Sequence, residues 1–187
     1  MIKKSIETEI DTFLNNKGIT ITGISGICVL PRVPDDFSPN TILREAKSII
    51  CYGVPIPKGI IYADNNDLAL YWRYCNMVYR SVDMISNQLC LHLEEKGYFA
   101  TPIYGCYPWK LVGHEFWGIL SLVYWAEQAG LGKLTKCGLL AHPTYGSKIL
   151  LGGVLTTLDL EPTQKFRDDL CPPDCFDCIE ACPVNDH

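Results

Sequence analysis

Apolar residues at the start of the chain recur at helical spacing. Ile2, Ile6, Ile10, Phe13 and Leu14 share one face, and Gly18 stands where a left-handed residue ends a helix, so the pattern predicts a first helix over residues 2–17. From Ile19 to Leu30 the chain is rich in Ile and Val but interrupted by Gly23 and Gly26. That predicts a strand that bends or lets another backbone come close, closed by Pro31 and Pro34. Ser38-Pro39 reads as an N-cap followed by proline in the first helical position, opening a short helix through Ala46. Ser48 to Ile56 is a nearly continuous apolar run of strand length, which fits a strand covered on both faces. Asn66 or Asp67 then caps the longest helix, whose stripe runs Leu68, Tyr71, Cys75, Val78, Val82, Ile85, Leu89 and Leu93 before Gly97 stops it. The aromatics around it, Tyr71, Trp72, Tyr74 and Tyr79, read first as packing and second as the lining of a cofactor pocket.

Tyr98 to Ile103 predicts a strand and Tyr104 to Gly113 a loop. Glu115 to Ala129 is apolar on nearly every side, which predicts a buried helix ending at Gly130. Gly138 to Ala141 and Lys148 to Thr157 read as strands joined by the turn Pro143-Thr144-Tyr145-Gly146. This alternation of helices and strands predicts an α/β or α+β layered domain over residues 1–160. Residues 161–187 are a connector followed by a cysteine-rich segment.

The bulk numbers narrow the class. Hydrophobic residues at 48% and charged residues at 20% exclude a disordered chain. A net charge of −5 without a basic stripe predicts no nucleic-acid partner. No apolar run reaches the roughly 18 residues a membrane span needs, and the N-terminus lacks the apolar core of a signal peptide, so a cytoplasmic protein is expected. Ten cysteines would suit a secreted disulfide scaffold, but in a reducing compartment they read as metal-bound or buried thiols. Cys28, Cys51, Cys75, Cys90, Cys106 and Cys137 are scattered in apolar surroundings and read as buried structural thiols.

The last four cysteines are different. Cys171, Cys175, Cys178 and Cys182 fall within twelve positions, and Pro183 follows. Thiolates every three residues or so wrap an iron–sulfur cube, and C-x2-C-x3-C-P from Cys175 matches the bacterial ferredoxin run. Structural zinc pairs two separated knuckles, and no second knuckle is visible. One departure stands out: Pro172, Pro173 and Asp174 separate the first two cysteines where two residues are usual. In two-cluster ferredoxins, moreover, the fourth cysteine serves the other cluster. Three readings stay open: Cys182 closes a single cluster, the fourth ligand comes from elsewhere in the fold, or the chain is a piece of a longer one.

Upstream, Ala129-Gly-Leu-Gly132 hints at a dinucleotide-binding turn, but Thr135 stands where the third glycine belongs and the segment follows a helix instead of a strand. That reading is set aside. The combination of AGLG, Lys136, GLL, P-x-YGS, LGGVLT and the cysteine run resembles the cobalamin-dependent reductases that include epoxyqueuosine reductase and the reductive dehalogenases. AKSIICYGVPIP at 46–57 and the long helix after it fit the same pattern. The likeness covers Gly18 to Pro183 and is most specific from Ala129 onward.

The resemblance implies a nitroreductase-like mixed sheet flanked by helices, a base-off corrinoid (cobalamin) and a [4Fe-4S] cluster that feeds it electrons from a ferredoxin or flavodoxin. It places Gly130, Gly132, Lys136, Tyr145, Gly146 and Ser147 against the corrin ring, the glycines letting a flat ring approach the main chain and Lys136 and Ser147 donating to its amides. It implies a small organic substrate, and an exposed cluster at this end implies an anaerobic setting. The chain departs from the family where Lys133, Leu134 and Thr135 replace W-I-G, and where Phe116, with Glu115 beside it, occupies the position of the acidic proton donor. His114, Glu115 and His142 are therefore the candidate acids, with Tyr104, Tyr107 and Tyr124 behind them. The alternative to an enzyme is a non-catalytic electron-transfer protein that keeps the cluster and has lost the corrinoid. A homodimer would cover apolar surface that such a domain leaves exposed.

Overall fold

The structure is a computed structural model that describes residues 2–28, 37–63, 68–106 and 108–183, without the side chains of 2–5, 112, 115 and 117. The expected closure at Pro31 and Pro34, the cap at Asn66 or Asp67, and Tyr107 lie outside the described residues.

Four strands form the central sheet: β1 (Ile21–Gly26), β2 (Ser48–Pro55), β3 (Ala100–Ile103) and β8 (Ile149–Thr156), in the order β1-β2-β8-β3. All three pairings are antiparallel, so the sheet is antiparallel where a mixed one was expected. Tyr52 opposes Gly152 and Ile50 opposes Val154 across the β2–β8 pair.

Strand alternation sends these side chains to two cores. Ile50, Tyr52, Leu150 and Val154 meet α1 (Ile2–Asn16) and α4 (Leu68–Glu95), through Ile10, Leu14, Val82, Leu89 and Leu93. Ile49, Cys51, Ile149 and Leu155 face α5 (Leu122–Gln128), through Leu122, Trp125 and Ala126. The result is a sheet between two helical layers, which explains why β2 is apolar without alternation. Gly152 and Gly153 set the spacing of both layers. A methyl group on Gly152 would run into Val82 of α4 and the Tyr52 ring, and one on Gly153 into Leu122 of α5. Helices on both faces thus sit close because neighbouring residues of one strand lack side chains.

A buried hydroxyl relay fixes the α4 layer. The Tyr52 hydroxyl lies 2.6 Å from Ser86 Oγ and 2.8 Å from the Val82 carbonyl, and Ser86 Oγ lies 3.1 Å from the Gly153 carbonyl. Two hydroxyl hydrogens serve three contacts that tie β2, α4 and β8 together.

The first helix ends as expected. Gly18 has φ 78°, and the Ile19 amide donates back to the Leu14 carbonyl at 2.9 Å. Gly23 lets the Ala129 carbonyl approach β1, the close backbone contact that its glycine predicted. The Ser38-Pro39 helix is shorter than expected: α2 covers Pro39–Ile42, and Glu45 takes a left-handed φ of 64°. A second one-turn helix, α3, covers Lys58–Ile61.

The stretch Glu115–Ala129 needs the main correction. Its first part is not a buried helix but β5 (Glu115–Gly118), paired with β4 (Trp109–Val112) in a hairpin that turns at Gly113, φ 63°. Phe116 is 69% exposed on it. A left-handed glycine and β-favouring aromatics outweigh the apolar run, and the helix starts only after Ser121. Likewise β7 (Leu140–Ala141) pairs with β6 (Lys133–Leu134), not with β8. Among the described residues no helix is long and apolar enough to cross a membrane.

Candidate functional site

The β6–β7 hairpin is the piece around which the candidate site is built. Its turn is closed by the Thr135 amide on the Leu139 carbonyl (2.9 Å) and the Gly138 amide on the Thr135 carbonyl (3.0 Å), with Gly138 at φ 75°. Glu127 of α5 anchors its base, accepting from the Leu134 amide at 3.1 Å and pairing with Lys133 at 3.4 Å.

Lys136 and Cys137 project from the tip toward the cysteine loop. Lys136 Nζ donates to the carbonyls of Pro172 (3.0 Å), Pro173 (2.6 Å) and Cys175 (2.7 Å), and lies 4.2 Å from the centre of the Phe176 ring. Its three ammonium hydrogens all go to that loop, so Lys136 clamps the cysteine segment. Cys137 Sγ sits 3.2 Å from Thr135 Oγ1 and shares a hydrogen bond with the Cys178 thiol. The Thr135 hydroxyl, opposed by burial, holds the Cys137 thiol below its ordinary value.

Cys171, Cys175, Cys178 and Cys182 are partly exposed free thiols in one loop, ending in the short helix α6 (Asp177–Glu180). Among the described residues no three Cys, His, Asp or Glu side chains already converge as a metal-binding group. The donor set nevertheless suits iron and sulfide: four partly exposed thiols on one loop that a cation holds by its carbonyls. The upstream cysteines divide. Cys51 and Cys90 are buried, while Cys28 and Cys106 are exposed against the expectation of structural thiols.

The same hairpin also walls a cleft of about 340 Å³. Leu139 and Leu140 line it together with Ser147, Ile149 and Leu151, facing Tyr79, Tyr104, Gly105 and Phe116. A smaller apolar cleft of about 250 Å³ shares Tyr104, Pro108 and Leu120 with it. Trp109 and Phe116 pack edge to face at 4.6 Å on the β4–β5 hairpin and are both largely exposed.

The glycines expected to meet a corrin ring have other duties. A methyl group on Gly132 would strike the Ala141 carbonyl and lie 3.1 Å from His142 Cα, and one on Gly130, at φ 82°, would strike the Gln164 carbonyl. At both positions the space a Cβ would take is filled by the protein's own backbone. Tyr145, Gly146 and Ser147 are exposed, and Ser147 alone of the six lines the cleft.

The candidate acids also separate. His114 is exposed at the turn of the β4–β5 hairpin and does not line either cleft. The Glu115 backbone pairs with Val112, and its side chain lies outside the described residues. His142 accepts the Thr144 amide on Nδ1 at 3.1 Å, lies 5.2 Å from the Tyr145 ring and has its pKa lowered by burial. It stabilises the 142–146 turn as a neutral ring. Tyr124 is half-buried against the α5-side core.

Sequence reasoning missed Asp83. Buried Oδ1 of Asp83 has no hydrogen-bond partner among the described residues, and burial raises its carboxyl pKa against a bond from the Gly105 backbone. Tyr79, pushed up to about 12 by burial, lies beside it at the cleft. An acid next to Val82 on the α4 stripe was the available signal.

Comparison with known proteins gives the context. No protein-family model matches the chain. Its fold is that of the epoxyqueuosine reductases and reductive dehalogenases. It superposes on an epoxyqueuosine reductase crystallised with a tRNA-Tyr epoxyqueuosine-modified stem loop with a TM-score of 0.68 and 19% identity, over 97% of this chain and 52% of that one. A reductive dehalogenase whose structure suggests a mechanism for B12-dependent dehalogenation superposes with a TM-score of 0.55 and 16% identity, over 86% of this chain and 20% of that one. By sequence the relation is to the epoxyqueuosine reductases. That of Synechococcus sp. (strain RCC307) is 49% identical over 60 residues, 32% of this chain and 18% of that protein. That of Listeria monocytogenes is 44% identical over 67 residues, 36% of this chain and 17% of that protein. The chain thus spans about half the length of the epoxyqueuosine reductase structure it matches. An epoxyqueuosine reductase holding a tRNA stem loop also runs against the expectation of a small-molecule substrate and no nucleic acid. Net charge sums the whole surface, whereas RNA loops are read locally by stacking and a few donors.

Proposed function

We propose that the chain is an iron–sulfur oxidoreductase of the epoxyqueuosine reductase kind, reducing a modified nucleoside presented by an RNA loop. The observation that carries this reading is the double use of the β6–β7 hairpin. Its tip clamps the cysteine loop through Lys136, and Leu139 and Leu140 wall the cleft. Electrons held on a cluster in that loop would be delivered beside an element that also lines the cleft. Exposed Tyr104 and Phe116 in the cleft lining, with Trp109 packed on Phe116, offer faces on which an unstacked base can lie.

The relatives' reading adds a corrinoid, and here the residues fit only in part. Ser147 and the exposed 145–147 backbone remain free to meet a ring edge, whereas Gly130, Gly132 and Lys136 are occupied within the fold. A bound corrinoid would supply the cobalt redox chemistry, and the protein would orient the ring and shield it. A ferredoxin or flavodoxin is the natural class of electron donor.

The test is anaerobic reconstitution with iron and sulfide, followed by titration with cobalamin and with an epoxyqueuosine stem loop. The reading expects a reducible cluster, a base-off corrinoid spectrum and saturable RNA binding. A cluster that forms without either ligand binding would leave an electron-transfer protein and refute the reductase reading.

A further inference from the structure

We infer that α4 is a dimerisation helix, which pairs antiparallel with α4 of a second copy along a stripe of Leu70, Met77, Met84 and Leu91. The four side chains are 42%, 52%, 64% and 54% exposed. The same helix buries Val78, Val82, Leu89 and Leu93 in the core, so it carries a second apolar line on its far side. Single exposed apolar residues are ordinary on a surface. Here they recur at a strict heptad, and each step turns the next side chain by only about 20°, the drift that a left-handed helix pair absorbs.

The order of the stripe selects the occupant. Leu, Met, Met, Leu at equal spacing reads the same from either end. A two-fold axis between Arg80 and Ser81 therefore sets Leu70 on the partner's Leu91 and Met77 on the partner's Met84. A two-fold interface needs one patch that complements itself, and this one does. Charge agrees with the antiparallel sense. Arg73 and Arg80 are exposed in the first half of α4, and Glu94 and Glu95 are exposed in its last turn. An antiparallel partner brings its acidic end toward the basic half, whereas a parallel one lays like charge on like. Methionines at the centre, unbranched and polarizable, fit a partner without a preformed pocket. From Leu70 to Leu91 the stripe is about 32 Å long on a helix about 10 Å across, which puts the contact among weak, reversible interfaces.

The test is analytical ultracentrifugation of the chain under reductant, over a concentration series, as parent, Met77→Lys and Met84→Glu. Circular dichroism checks the fold. The parent should pass from monomer to dimer in the micromolar range. Each variant alone should weaken the dimer by about tenfold or more, because both of its contacts then set a charge on methionine. An equal mixture of the two should recover a dimer, since it pairs the two new charges at one contact and methionine with methionine at the other. Should a charge disturb the fold, Met77→Gln combined with Met84→Gln weakens the dimer without one. A parent that stays monomeric, or a dimer that neither variant weakens, overturns the inference. Weakening by both variants with no recovery on mixing overturns the antiparallel pairing. None of these readouts needs iron, corrinoid or RNA, so the outcome is independent of the reductase reading.

Discussion

Replacing Lys136 by methionine keeps the length of the side chain and removes its charge. The wild-type ammonium makes three hydrogen bonds to carbonyls at 2.6–3.0 Å and lies over an aromatic ring. Hydrogen bonds to a charged group contribute about 1.5–3 kcal/mol each when buried. Lys136 is exposed, and fixing its stem costs up to about 2 kcal/mol of rotamer freedom, so the net worth of the clamp is on the order of 1–2 kcal/mol. That corresponds to roughly a 5–30-fold increase in opening of the cysteine loop in Lys136→Met. Amide exchange reads it directly, because the Cys175, Ile179, Ala181 and Cys182 amides are bonded within the loop. These four should lose protection by that factor, while amides of β2 and β8 keep theirs. Lys136→Arg should fall between, since a planar guanidinium does not aim three donors at three converging carbonyls. Unchanged exchange in the loop would refute the clamp, and an equal loss throughout the sheet would show that Lys136 supports the whole domain.

Gly132→Ala should destabilise the protein by about 3 kcal/mol, measured by urea denaturation, because the new methyl meets the Ala141 backbone and not a flexible side chain. A neutral outcome would mean that the hairpin can shift, and a larger residue there would report on folding before it reported on any cofactor. His142 should give a pH-dependent stability of definite sign. Its folded pKa lies below the usual 6.5, so the unfolded chain binds a proton that the folded one refuses. The contribution is complete above pH 6.5 and is lost as pH falls through the folded value. A urea series from pH 5 to 8 should show that slope flattened in His142→Asn, whose side chain can still accept the Thr144 amide.

The elements that local rules govern were legible in the chain. Gly18 marked the end of α1, Gly23 a close backbone approach, and the unbroken apolar run at 48–55 a strand buried on both faces, because each depends on the conformation or covering of its own few residues. The stretch 115–129 misled because an apolar run does not distinguish a helix from a strand, and Gly113 with Phe116 decided for a hairpin. Chemistry divided in the same way. The spacing of Cys171, Cys175, Cys178 and Cys182 announces its donor set within one loop, whereas Lys136 reads as part of a family pattern and Cys137 as a structural thiol until the fold lays them beside that loop, more than 30 residues away. Glycines 130 and 132 called for a close approach, but only tertiary structure could say that the approaching partner was the protein's own backbone. Asp83 carried no local mark because its carboxyl is raised by burial, against a bond from the Gly105 backbone, and both arise only when segments distant in the chain pack together. Short-range conformation and ligand type are written in sequence because they are properties of neighbours; which groups meet, and what fills the space beside a glycine, is fixed only when the layers pack.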